Sequence, residues 1–321
     1  MRESDLWPSL REYWHPVAFA GDVGDKPHAV KLLDEQIVLC RLAGRVVAYY
    51  DLCIHRGTPL SLGWVEGENL VCAYHGWSYN ADGKCVRIPS IPPEHPIPKK
   101  ACLTAYHAKE QYGIIWVCLA DEPRASIPEI PTLEDPGFHV DLRDAKLWKC
   151  SAARAIENFI DLGHLPWIHE GILGTRDQPL TPTVNVERVG EEIRFGVQGI
   201  EDRTREADSY ERVFRIYRPF TINLSKVESD GKTEVMLFVC TPHTANECTR
   251  LFMIARNYEI FSDEAKVEDL GELIIEQDRK IVENQRPEEL PLDLTEELHI
   301  KGPDAPALAY RRMMREIGIE A

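Results

Sequence analysis

The sequence predicts an α+β chain of two domains: an N-terminal all-β domain, and a C-terminal domain of antiparallel sheet plus helices. Three observations carry this. From Val17 to Leu119 short apolar runs alternate with turn residues, as in a chain of short strands. The stretch EPRASIPEIPTLEDPGF then places Pro123, Pro128, Pro131 and Pro136 close together, and prolines this dense oppose both helix and central strand. Beyond it, long alternating runs stand beside helix-periodic segments. The 321 residues suit two domains of roughly 150 each, drawn at 1–125 and 126–321.

In order, HAVKLLDEQIVLCRL, RVVAYYDLC, NLVCAY, GWSYN, KCVRIP and GIIWVCL read as strands of the first domain. VEGEN lies between two apolar runs and reads as a hairpin turn, which puts Cys53 and His55 on one loop and Cys72 and His75 on another. After the linker, ARAIENFIDLGHLPWIHEGILG reads as helical at its start. ERVFRIYRPFTINLSKVE and TEVMLFVCTP read as strands, DEAKVEDLGELIIEQDRKIVENQ as a long helix and APALAYRRMMREIG as a short closing helix.

Composition narrows the function. Lys and Arg number 37 against 53 Asp and Glu, a net charge of −16 spread along the chain, which argues against nucleic acid or an anionic membrane as partner. The opening MRESDLWPSLREYW has no apolar core of signal-peptide length, and the longest apolar run, Ile114 to Ala120, falls far short of the roughly 20 residues a spanning helix needs. A cytoplasmic protein is expected. Nine cysteines make a poor disulfide framework, and Cys40, Cys85, Cys102, Cys118, Cys150, Cys240 and Cys248 are read as buried small hydrophobes.

The remaining two cysteines sit in CIHRGTPLSLGWVEGENLVCAYHGW, where Cys53-x-His55 and Cys72-x₂-His75 are separated by 16 residues. Structural zinc sites pair like with like, whereas each loop here gives one thiolate and one imidazole. Two irons suit that arrangement, because in a Rieske [2Fe–2S] centre two histidines replace two cysteines on one iron and raise its potential. Trp77, beside the second loop, reads either as a lid over the cluster or as core.

A second set follows in ENFIDLGHLPWIH. Asp161 and His164, three apart, share a helix face, whereas His164 and His169 would lie roughly 140° out of phase on a regular helix. Pro166, between them, distorts the turn and can bring both imidazoles to one metal. Two histidines call for a carboxylate to complete a facial triad for non-haem Fe(II). On the long helix, with Val267 as zero, Leu270, Ile274 and Ile281 fall within about 60°, and Asp278 falls at about 20°, inside this apolar stripe. An unpaired carboxylate there is forced neutral or needs a cation, for which iron is the economical choice; a buried salt bridge or a helix face turned partly to solvent is the alternative.

CIHRG followed by CAYHGWSYNADGKC resembles the Rieske motif of the ring-hydroxylating and demethylating oxygenases, with Ala73 where that family often has proline. Asp161, His164 and His169 fit its D-x₂-H-x₄-H pattern, and EQD fits its late aspartate. The resemblance implies a Rieske cluster on Cys53, His55, Cys72 and His75, and Fe(II) on His164, His169 and Asp278. It implies electrons from NAD(P)H through a separate reductase or ferredoxin, O₂ as co-substrate, and mono-oxygenation or O- or N-demethylation of a small aromatic or natural product. Aromatic-ring cis-dihydroxylation is the alternative, and an electron carrier or metal-stabilised binding protein the different-class rival. By the same resemblance the protein is a homotrimer in which Asp161 bridges His164 of one subunit and His75 of the next, and Asn158 neighbours the iron. Phe214, Tyr217, Asn223 and Phe238 are candidate pocket residues; Arg and Lys of these strands could pair with a substrate carboxylate, but alternation sends most of them to solvent, and none is singled out.

Overall fold

Three two-residue turns shape the first unit, Arg11–Ile127, of the computed structural model, which describes residues 1–198, 210–258 and 264–319. The unit contains β1 (His15–Phe19), β2 (His28–Leu32), β3 (Glu35–Leu42), β4 (Arg45–Tyr50), β5 (Trp64–Glu66), β6 (Asn69–Val71), β7 (Ser78–Tyr79), β8 (Cys85–Arg87), β9 (Ala105–Gln111) and β10 (Ile114–Cys118). A six-stranded sheet runs β1-β10-β9-β4-β3-β2 and a four-stranded one β5-β6-β7-β8. Leu33–Asp34, Ala43–Gly44 and Tyr112–Gly113 all have positive φ, the pairing that lets a two-residue hairpin follow the right-handed twist of its strands. Sequence reading passed over β1, β5 and β9. β5 has three residues, and β9, AYHAKEQ, lacks an apolar run because its residues are only half-buried or exposed. Cys40, Cys85 and Cys118 are buried, but Cys102 is exposed, a correction to its reading as a core residue.

The second unit joins Met1–Leu10 to Pro128–Ala321. The first ten residues, including α1 (Trp7–Leu10), therefore group here and not with the first domain. Glu3 explains why: its buried carboxylate accepts the Ala153 N–H at 2.8 Å, at a helix start where backbone donors lack partners. Leu292 N–H donates to the Met1 carbonyl at 3.0 Å. Past the linker the first strand of this unit is β11 (His139–Trp148), which precedes α2 (Ala152–Ile160). Charges interrupt HVDLRDAKLW at short intervals, so no apolar run announces it.

α2 (Ala152–Ile160) and the single turn α3 (Leu165–Ile168) follow. Then come β12 (Glu187–Val189), β13 (Glu192–Val197), β14 (Tyr210–Tyr217), β15 (Thr221–Glu228), β16 (Thr233–Thr244) and β17 (Glu247–Arg256), and finally α4 (Glu264–Val282) and α5 (Ala305–Ile319). The sheet is antiparallel throughout, ordered β11-β17-β16-β15-β14-β13-β12. Asp263, the first residue of the helix read from the sequence, and the Val267 side chain lie outside the described residues. Ile281 is 45% exposed, so the apolar stripe of α4 does not run that far; Val282, one turn beyond Asp278, is buried instead.

Register decides what the sheet offers its helices. Across β17, β16, β15 and β14 one row reads Arg256, Glu234, Lys226, Arg212, and the next Ile254, Met236, Leu224, Phe214. Phe252 and Phe238 begin a third. Side chains alternate along a strand, so these even-numbered residues share one face. α2 packs against β16 and β17 and also touches α4 and α5.

Candidate metal centres

The two cysteine loops of the first unit are built alike. Cys53 N–H donates to the Thr58 carbonyl at 2.8 Å and Cys72 N–H to the Trp77 carbonyl at 2.9 Å, five residues on in each case. Gly57 and Gly76, four residues after each cysteine, return N–H bonds to the cysteine carbonyls at 2.9 and 3.0 Å. Both glycines have φ near +70°, a conformation any side chain would strain. Within this shared frame His55 sits two residues after its cysteine and His75 three after its own. Their rings approach to 4.5 Å between centroids.

Both cysteines are buried in the core with Leu60, Leu70 and Tyr79, while His75 is exposed and His55 intermediate. His55 Nδ1 is nevertheless buried and has no hydrogen-bond partner among the described residues. An orphaned nitrogen on a loop that also carries a buried thiol fits a histidine- and cysteine-ligated cluster, and two donors of each kind are the Rieske set. Burial, with His75 and Arg56 nearby, holds His55 below the usual imidazole range, in the neutral form a ligand needs. Tyr79, which sequence reading missed, places its hydroxyl 3.2 Å from Cys53 Sγ. Burial raises its pKa well above the phenol range, so the hydroxyl keeps its proton. The Trp77 ring stacks on His55 at 4.5 Å, 8° from parallel, and also packs against the core.

In the second unit α2 stops at Asp161, whose backbone is extended. Asp161 and His164 therefore do not share a helix face as the spacing suggested. The aspartate accepts Gly163 N–H at 2.8 Å through Oδ1 and meets His164 Nδ1 at 3.2 Å through Oδ2, a side-chain turn. Nor does Pro166 kink a continuous helix. It stands in the first turn of α3, where a missing N–H costs nothing, with His164 and His169 capping either end of that turn. The chain break before α3 is what turns both rings to one point, 5.2 Å between centroids.

Asp278 of α4 completes the group. One ligating atom from each of His164, His169 and Asp278 lies within 4.8 Å of the others. Asp278 Oδ1 is 3.4 Å from His164 Nε2 and 3.1 Å from His169 Nε2, and its side chain is only 14% exposed. Asn158 Nδ2 donates to the same oxygen at 3.3 Å. From behind, each imidazole is held by its other nitrogen: His164 by Asp161, and His169 by Gln277 Oε1 at 2.8 Å. Gln277 was missed, though it adjoins Asp278 within EQD. Desolvation would lower His164, but its hydrogen bonds to Asp161 and Asp278 outweigh this and raise its pKa to about 9. The bonds from the histidines likewise overcome burial and hold Asp278 below the usual carboxylate range. The centre favours positive charge, and its two imidazoles and one carboxylate, oriented from outside, fit divalent iron.

A cavity of about 190 Å³ opens beside the three residues. Phe214 and Phe238 line it, as sequence reading anticipated, whereas Tyr217 and Asn223 are odd-numbered on their strands and do not. Arg212, Lys226, Arg250 and Arg256 line it as well, against the expectation that such residues face solvent. Alternation within one strand cannot say which parity faces in; the pairing of four strands does.

Comparisons with known proteins agree with this layout. Residues 13–107 match the Rieske [2Fe-2S] domain and residues 148–318 the vanillate O-demethylase oxygenase C-terminal domain. The chain is 32% identical to methylxanthine N1-demethylase NdmA of Pseudomonas putida, over 96% of its own length and 89% of the relative's. It is 29% identical to methylxanthine N3-demethylase NdmB of the same organism, over 97% and 90%. The structure of NdmA with caffeine superposes with a TM-score of 0.89 at 31% identity, covering 97% of this chain and 92% of that one. Dicamba monooxygenase, at 21% identity and a TM-score of 0.83, shares the fold. With both domains matched in order and a third of its residues shared along its length with a demethylating relative, the chain belongs to the Rieske non-haem iron oxygenases and is an oxidoreductase acting with O₂.

Proposed function

We propose that this oxygenase inserts one oxygen atom into a C–H bond of a small planar substrate, removing a methyl group from nitrogen or oxygen where the oxidised carbon is a methyl. The observation that carries the reading is a single cavity shared by His164, His169 and Asp278 with Trp148, Phe159, Phe238 and Phe252. Aromatic walls seat a flat molecule beside the three donors. In this reading Cys53, His55, Cys72 and His75 hold the [2Fe–2S] cluster, and His164, His169 and Asp278 hold Fe(II). Loaded, the two centres supply one-electron transfer and O₂ activation, with electrons drawn from NAD(P)H through a separate reductase or ferredoxin.

The chain's own residues orient and exclude water. Asp161 and Gln277 fix the two ring tautomers, Asn158 steadies the Asp278 oxygen, and the phenylalanines keep the cavity dry. A methyl oxidised to hydroxymethyl consumes O₂, two electrons and two protons and releases water; the C–N or C–O bond then breaks to give formaldehyde. Two of the relatives are named as N-demethylases, which favours this outcome over ring dihydroxylation. A homotrimer acting in the cytoplasm completes the proposal. The exposure of Asp161, 39%, and of His75 supports the reading that they meet a neighbouring subunit.

The test is a single turnover. Pre-reduced protein is mixed with O₂ and a panel of aromatic acids, methyl ethers and N-methyl compounds, and formaldehyde and product mass are followed. Formaldehyde in step with substrate loss supports demethylation. A gain of two oxygens without formaldehyde sinks it in favour of dihydroxylation.

A further inference from the structure

Among the cations that line the cavity, Arg250 has a distinct setting. Lys226 and Arg256 share the Glu234 carboxylate at 3.3 and 2.7 Å, in the row that also contains Arg212. Arg250 stands six residues back along β17, about 20 Å from that row. It is fully buried. Its Nη2 donates to Asp144 Oδ1 at 2.5 Å, but Nε and Nη1 are buried without a hydrogen-bond partner among the described residues. A guanidinium carries five N–H groups, so three of them, on Nε and Nη1, are left over. Buried donors left unmade are costly and are seldom kept without a use.

The surroundings hold the charge but do not take those donors. The guanidinium lies 5.9, 5.9 and 5.4 Å from the ring centroids of Trp148, Phe238 and Phe252, whose faces attract a cation. Asp144 is shared with Lys146 at 3.2 Å, so its charge is not Arg250's alone. The same rings continue into the cavity wall, where Phe159 stacks on Phe238 at 4.4 Å. A flat molecule lying on these rings would bring its edge to the guanidinium.

We propose that Arg250 is a specificity-determining residue: it donates to an acceptor oxygen, carboxylate or carbonyl, on the substrate's edge and so decides which carbon faces His164, His169 and Asp278. This rests on the oxygenase reading and names the group the substrate must carry. A site built to hydrogen-bond a group rejects the analogue lacking it far more strongly than an apolar pocket rejects a missing methylene.

The experiment measures binding to the holoenzyme without turnover, by equilibrium dialysis, so it can fail while product formation stands, and the reverse. The probes are 4-methoxybenzoate for a carboxylate, caffeine for a neutral carbonyl and 4-methylanisole with neither. In the wild-type protein one of the first two binds at least about ten-fold more tightly than 4-methylanisole, and Arg250→Met removes that preference. Which probe shows the effect separates carboxylate from carbonyl. Arg250→Lys, which keeps the charge beside Asp144 and the three rings, is the second variant. If Arg250→Met does not retain the second unit's iron or melts well below the wild type, Arg250→Lys decides, and it must cut the preference at least about three-fold because it has fewer directed donors. No preference in the wild type, or one that survives the substitution, overturns the proposal.

Discussion

Two side chains outside the donor sets show what single residues contribute. Gln277 fixes His169 through Nδ1, and loss of such an outer partner typically costs about 10–100-fold in metal affinity. Gln277→Leu is expected to lose iron from the second unit on dialysis while the cluster's spectrum is retained. Iron analysis checks this, and Gln277→Glu, which keeps the acceptor, should recover most of the content. Glu3 acts on stability. Burial raises its pKa from 4.5 to about 7, against the opposing Ala153 N–H. Between those values the folded chain binds more protons than the unfolded one, so stability is full below pH 4.5 and falls as pH rises through 7, by about 3 kcal/mol. Glu3→Gln should flatten that part of the melting profile, and an unchanged slope would refute the assignment. At this scale the residues proposed as ligands were legible because thiols and imidazoles at fixed spacing are rare. Gln277, Tyr79 and Arg250 were not, since an amide, a phenol and a guanidinium gain meaning only from what they touch.

Elements were legible where an apolar run or a helical period spoke for them. The strands of the first unit flanking CIH and CAYH, and the helix bearing Asp278, lie where their patterns place them. β11 and β9 do not advertise themselves, because half-buried strands rich in charge carry no clear alternation. The turn between Asp161 and His164 was misread for a related reason: spacing of three fits a helix face, and only the extended backbone at Asp161 reveals the break. Close approach governs the hairpin that joins the cysteine loops. A Cβ on Gly63 would come within 2.0 Å of the Val71 carbonyl, the partner strand's backbone. Gly63→Ala is expected to push β5 off β6, destabilise the first unit by about 1–3 kcal/mol and weaken the Rieske EPR signal. Melting followed by that signal tests it, and a wild-type midpoint would show that the hairpin has room to spare.

For the molecule as a whole, the two donor sets lie in two compact units, and each should respond to its own perturbation. Mild chelation of the as-purified protein should strip the mononuclear iron and abolish product formation, leaving the cluster's absorbance intact. Added Fe(II) should restore turnover and Zn(II) should not; simultaneous loss of both signals would argue against independent sites. Among the described residues no helix is long and apolar enough to cross a membrane. The sequence could announce both centres because each is local in the chain or marked by one odd residue on a helix. The cavity could not be announced, since its wall joins four paired strands to residues of two helices, and only the strand register shows which side chains share its face. That register has an evolutionary corollary. Along β14 to β17 the residues that line the cavity are all even-numbered and the odd ones face the opposite side of the sheet, so the two sets can drift under separate selection. A lineage could retool its diet by exchanging some of these alternate letters while the sheet that carries them stays in place.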